Sequence, residues 1–282
     1  MGDVHGARTR TCTTDGHRLA YDVRGEGDRV VVLVPGLLMS RRMQWPLADA
    51  LAAAGLRVVT MDPLGTGESD RPTDYWRYSM PIAARQLVAL LDELEVRRAV
   101  VLGTSAGAAM TLAAADFAPE RLHGIVVEGP VLDRAMAFAA ACCAPLLAGW
   151  TYGKPLARGL SRVARALPRR FGLVPDLTLD WLAQDSAASA AALQGFIYGG
   201  PRLAKDVREG LRPRALVIGY RLFDPIHRPA DARRLAEEMS DARLVWARTW
   251  LELRYRPDRL APLIAEFVRD CYASAAGSAV PA

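Results

Sequence analysis

Short β-branched apolar runs alternate along the chain with stretches whose apolar residues recur every three or four positions, and the alternation stops once before it resumes. Residues 29–34 form the first β-branched run, 45–54 carry a helical period, 57–61 form a second run, and 82–94 a second helical period. A strand at 99–102, a helix at 106–117 and a strand at 125–127 follow. Strand and helix in turn predict a parallel sheet with helices on both faces. Ahead of it, residues 9–13 and 18–23 flank the turn residues Asp15 and Gly16 and predict an antiparallel hairpin on the sheet edge.

After Gly129 the strand signal disappears. Residues 132–211 are Ala- and Leu-rich helical stretches, with Pro145, Pro155, Pro168, Pro175 and Pro201 read as interruptions. Then strands at 215–218 and 243–245 alternate with helices at 229–239 and 260–270, and the small, polar residues after Ala273 read as a frayed tail. The expectation is an eight-stranded, mostly parallel α/β core over 1–130 and 211–282, with a helical insertion at 131–210.

Composition narrows the classes. With 282 residues, 51% hydrophobic and 24% charged, the chain is long enough for a large core and far from a disordered composition. Of 36 basic residues only Lys154 and Lys205 are lysine, and the arginines are read as mixed with acids throughout, as at Arg233, Arg234, Glu237 and Glu238. Nucleic-acid binders concentrate such charge on one face, so no nucleic-acid partner is expected. The first ten residues hold no apolar leader segment, and no run of about 18 apolar residues occurs, so no membrane partner and a cytoplasmic location are expected. Cys12, Cys142, Cys143 and Cys271 lack metal or redox spacing and read as free, buried thiols. No metal and no cofactor are expected: Gly65-Thr66-Gly67 runs into Glu68 without the helix and further glycine of a dinucleotide fingerprint.

The chemistry concentrates at Gly103-Thr104-Ser105-Ala106-Gly107. This G-x-S-x-G run lies between a predicted strand and a predicted helix, the context that gives the motif its meaning. Its glycines permit a tight turn that lifts the Ser105 hydroxyl out of the sheet, while the helix N-terminus faces developing negative charge.

Together with Val34-Pro35-Gly36-Leu37 after the third strand and the D-x-x-G-x-G-x-S run from Asp62 to Ser69, this segment resembles the α/β-hydrolase fold superfamily. The resemblance covers about 18–129 and 215–270. It implies an oxyanion hole from the backbone N–H groups of Leu37 and Ala106, with Pro35 standing where many members have histidine. Asp62 is expected to hold its loop rather than to catalyse. Asp224, in Asp224-Pro225-Ile226, matches the acid-bearing loop, and Glu128 is the alternative acid. The helical insertion corresponds to the family's cap over the active site.

One part of the family pattern is missing. The loop from Trp246 to Asp258, where the catalytic histidine belongs, contains none, and Trp250 stands at or near its place. An indole nitrogen only donates and cannot take the serine proton. Of the four histidines, His5 and His17 belong to the N-terminal segment and edge hairpin, and His123 to the end of a strand away from the ligand-binding rim. His227 remains, three residues beyond Asp224 on that rim, either as the base or merely packed against the following helix. Gly36, Met39, Met43, Trp45, Trp150 and Trp250 are expected around an apolar small-molecule cleft, with contributions from Phe138, Tyr152, Phe171, Trp181, Phe196 and Tyr198.

Three functions follow as expectations. The first is a cofactor-independent hydrolase of an ester, thioester or related carbonyl of an apolar molecule. The second is a lyase or cyclase of secondary metabolism, suggested by Trp250, and the third an inactive ligand-binding protein. A serine elbow argues against epoxide hydrolases and haloalkane dehalogenases, whose nucleophile there is aspartate. A homodimer is left open.

Overall fold

The computed structural model describes residues 8–199, 204–222 and 224–277. Its centre is an eight-stranded sheet in the order β1-β2-β4-β3-β5-β6-β7-β8. The hairpin β1 (Arg10–Thr14) and β2 (His17–Arg24) is antiparallel, and β2 also pairs antiparallel with β4 (Arg57–Met61). From β4 outward through β3 (Val30–Val34), β5 (Ala99–Thr104), β6 (Leu122–Glu128), β7 (Arg214–Tyr220) and β8 (Ala242–Ala247), all pairings are parallel.

The central strands are apolar on both faces because helices cover both. Val30, Val32 and Val34 point to α2 (Met80–Glu93), α3 (Ala106–Phe117) and α9 (Pro229–Glu238). Val31 and Leu33 point the other way, to α1 (Trp45–Ala53) and α11 (Ala261–Gly277). All five residues of β3 are buried, so one substitution there disturbs one core without touching the other.

Between β6 and β7 the regular elements among the described residues are all helices: α4 (Asp133–Tyr152), α5 (Lys154–Ala166), α6 (Leu173–Leu182), α7 (Ser186–Gly199) and α8 (Lys205–Gly210). Ser40 Oγ donates to Asp180 Oδ2 at 2.8 Å, and the Gln184 side-chain amide donates to the Leu38 carbonyl, which ties α6 and its exit to the loop after β3. These bonds place the insertion over the C-terminal ends of the strands.

Three sequence expectations need correction. Pro145 falls inside α4, where it removes one helical hydrogen bond without ending the helix, because apolar residues on both sides of it pack against the protein. Pro201 lies outside the described residues. The chain after Ala273 continues α11 to Gly277, since alanine is the best helix former and the segment holds two more of them. Cys12 and Cys271 are buried, but Cys142 is exposed and Cys143 only half-buried, because α4 shows one side to solvent.

Candidate active site

Ser105 has φ 55° and ψ −112°, a conformation that a side chain rarely adopts and that marks stored strain. Its backbone N–H donates to the Glu128 carbonyl at 2.8 Å, which fixes the turn to the end of β6. Two glycines make the turn sterically open. A Cβ at Gly103 would lie 2.0 Å from the Gly107 carbonyl oxygen, and one at Gly107 would lie 2.5 Å from the carbonyl oxygens of Val34 and Pro35. No side chain fits either place.

The loop from β7 to α9 folds back on itself. Asp224 Oδ1 accepts the backbone N–H groups of Ile226 (2.9 Å) and His227 (3.0 Å), a local turn that aspartate before proline favours. Asp224 Oδ2 accepts from His227 Nδ1 at 2.8 Å. With Nδ1 carrying the proton toward a carboxylate, the lone pair of Nε2 faces the other way, and Ser105 Oγ lies 2.8 Å from it. Three groups expected from the sequence are thus brought into one hydrogen-bonded chain. His227 is not packed passively against α9.

Tyr220, at the end of β7, presses edge-on to the His227 ring with centroids 5.5 Å apart, and its hydroxyl lies 3.2 Å from Glu128 Oε1. Burial, reinforced by Glu128, pushes the Tyr220 phenol well above its ordinary range, so it stays neutral. Burial by itself would raise the Asp224 carboxyl, but the hydrogen bonds from the His227 ring and backbone outweigh that effect and hold it at about 2. A pH prediction follows. The folded value lies below the reference 3.8, so the stability Asp224 contributes is complete above about 3.8 and is lost as pH falls through about 2. Urea denaturation should show a wild-type advantage over Asp224→Asn near neutral pH that shrinks as pH falls below about 4.

Leu37 and Ala106 both border the cavity above Ser105. Ala106 opens α3, so its N–H has no acceptor within the helix. Leu37 donates its N–H in no backbone hydrogen bond among the described residues. A Cβ on Gly36 would stand 3.8 Å from the Ser105 Cβ, so Gly36 lies directly beside Ser105. The cavity measures about 770 Å³ and is lined mainly by apolar side chains, with Met39, Met43, Trp181, Phe196 and Trp250 among them. Its roof comes from α4, α6 and α7.

Six expected cleft residues lie elsewhere. Trp45 is buried in the core, its indole N–H donating to Asp22 Oδ2 at 3.0 Å while Arg24 and Arg42 stack on its ring. Trp150 stacks on Trp181 at 5.4 Å instead of lining the cavity. Phe138, Tyr152, Phe171 and Tyr198 are exposed and do not line it either. Among the other histidines, His123 packs on Tyr272 with centroids 4.1 Å apart, His17 opens β2, and His5 lies outside the described residues.

Two carboxylates near the elbow have structural partners. Asp62 accepts from the backbone N–H groups of Arg41 (2.6 Å) and Glu68 (2.9 Å) and from the Arg41 guanidinium, which locks its glycine loop. Burial raises its carboxyl against the opposing pull of Arg41. Glu128 accepts from Thr104 Oγ1 (2.5 Å) and Arg254 Nη2 (2.7 Å), with Glu128 and Arg254 both fully out of solvent. No hydrogen bond or ion pair joins it to His227, whose Nδ1 faces Asp224 instead. Arg254 escaped sequence reasoning because its partners lie 126 and 150 positions away, and no local pattern signals such a pair. Among the described residues, no group of three or more His, Cys, Asp or Glu side chains is placed to hold a metal ion.

Comparison with known proteins bears on the whole arrangement. A family model described as the alpha/beta hydrolase fold matches residues 29–144. Bifunctional epoxide hydrolase 2 of Sus scrofa is 34% identical over 112 residues, 39% of this chain and 20% of that protein. Serine hydrolase BPHL of Homo sapiens is 33% identical over 121 residues, 41% of this chain and 40% of that protein. The matched stretches span from about a fifth to about half the length of such curated relatives. A crystal structure of the enol-lactonase from Burkholderia xenovorans LB400 superposes with a TM-score of 0.72 at 22% identity, covering 94% of this chain and 100% of that one. Strand order and this superposition show that the chain has the α/β-hydrolase fold.

Proposed function

We propose that the chain is a serine hydrolase that cleaves an ester, thioester or related carbonyl of an apolar small molecule, with acid and base supplied by one loop. The observation that carries this reading is the 2.8 Å separation of His227 Nε2 from Ser105 Oγ, with Asp224 on the opposite ring nitrogen. Ser105 Oγ attacks the substrate carbonyl as His227 Nε2 takes its proton. The negative oxygen that forms is held by the N–H groups of Leu37 and Ala106 at the positive end of α3. Collapse expels the alcohol or thiol, which receives the proton from Nε2. A water then gives its proton to Nε2, attacks the acyl carbonyl, and frees Ser105 as the carboxylic acid leaves. Asp224, ionised down to about pH 2, fixes the ring and balances the imidazolium charge.

The apolar walls of the cavity support a substrate of low polarity. The matches to epoxide hydrolases sit beside a serine, not an aspartate, at the elbow, so epoxide opening through an alkyl-enzyme is not part of this reading. Trp250 in the loop after β8 is the feature that suggests a lyase or cyclase, and the contact of His227 with Ser105 favours hydrolysis over it. The test is hydrolysis of p-nitrophenyl esters of increasing acyl length. The expected result is kcat/KM rising with chain length until the cavity is filled, and failure to hydrolyse any of the series overturns the reading.

A further inference from the structure

The mixing of acidic and basic residues along the chain fails in one place. Between Asp133 and Asp176 there are seven basic residues and no acidic one. Helix α5 lies in the middle of this stretch. Its Ser161 and Ala164 are buried against the protein, whereas Leu156, Leu160, Val163 and Leu167, spaced by four, three and four, are 71%, 49%, 62% and 41% exposed. This spacing puts them on one helical face. Arg158, Arg162 and Arg165 follow the same rhythm on the other side, and all three are exposed. Phe171 and Arg170, just beyond the helix, extend the apolar and basic surfaces.

We infer that α5 and the turn after it form a docking surface for a membrane leaflet rich in anionic phospholipid. A helix with a broad apolar face and an arginine-rich polar face lies in the headgroup plane, its leucines in the acyl boundary and its guanidinium groups on lipid phosphates. No helix among the described residues is long and apolar enough to cross a membrane, so the contact is peripheral. A second copy of the chain fits less well, because a two-fold contact would bring two acid-free basic surfaces together. The helices on either side of α5, α4 and α6, contribute walls to the cavity, so docking would bring the roof of the site to an apolar phase. The inference does not depend on the reaction assigned to Ser105.

The test is sedimentation of the full chain with vesicles of phosphatidylcholine alone or with about 30 mol% phosphatidylglycerol, a composition in the range where anionic lipid attracts basic surfaces. Binding should be about 10-fold or more tighter to the anionic vesicles and should weaken as salt is raised. Leu156→Ser with Leu160→Ser and Val163→Ser, and separately Arg158→Gln with Arg162→Gln and Arg170→Gln, should each lower it by about 10-fold while circular dichroism stays unchanged. Equal binding to both vesicle types, no binding to either, or retention of binding in the folded triple variants would overturn the proposal. So would a dimer of the wild-type chain that the leucine variant dissociates, since α5 would then be covered by its own copy.

Discussion

Ser105→Ala and His227→Gln are each expected to lower kcat/KM for an activated aryl ester by about 10⁴-fold or more, and the double variant to fall little further. Groups that act as one proton relay lose their value together: without Nε2 the Ser105 hydroxyl is a poor nucleophile, and without Oγ the imidazole has nothing to activate. Residual turnover should remain, because the proposed oxyanion hole of the Leu37 and Ala106 N–H groups is left intact. Steady-state kinetics on the two single variants and the double variant decides this. Losses that multiply would mean that Ser105 and His227 act separately, contrary to the relay proposed from the 2.8 Å contact between them.

The second large effect concerns stability. Arg254→Leu should lower unfolding free energy by about 3–5 kcal/mol, the usual consequence of leaving one partner of a buried ion pair unpaired. Glu128 lies at 0% side-chain exposure beneath the elbow, and its carboxylate would lose its only cationic partner among the described residues. Arg254 itself is incompletely satisfied, since its Nε and Nη1 have no hydrogen-bond partner. Replacing both residues with methionine should therefore recover part of the loss, because the desolvation of two charges disappears with them. Urea midpoints of wild type, Arg254→Leu and the double methionine variant measure both statements. A double variant less stable than the single would show that the pair is worth more than its desolvation costs.

The sheet was legible because its signals are periodic and local. Short, continuous β-branched runs such as Val30–Val34 read as strands buried on two faces, and the G-x-S-x-G run marks its own turn. The meeting of Ser105, Asp224 and His227 was legible for a topological reason: α/β sheets gather loops at the C-terminal ends of their strands, and only one histidine lay on such a loop. Helix ends were less so. Residues 274–277 read as tail although alanine favours helix, and Pro145 read as a break although α4 absorbs it.

Aromatic residues misled for a different reason. Bulk and proximity in sequence point Trp45 and Trp150 toward the cleft, yet each satisfies its ring elsewhere, Trp45 on Asp22 and two arginines, Trp150 on Trp181. Which side of a helix an indole faces depends on partners remote in sequence. The same is true of Arg41, which gathers Asp22, Asp62 and Glu68, and of Arg254. Buried ion pairs leave no periodic trace.

The claim that a histidine from the Asp224 loop activates Ser105 is tested most directly by fluorophosphonate labelling followed by peptide mass analysis. Only an activated serine reacts at an appreciable rate. The account predicts a single adduct on Ser105 in the wild-type chain and a labelling rate reduced by about 10²-fold or more in folded His227→Gln. Labelling of Ser105 at an unchanged rate in that variant, or no adduct on Ser105 in the wild type, would contradict it.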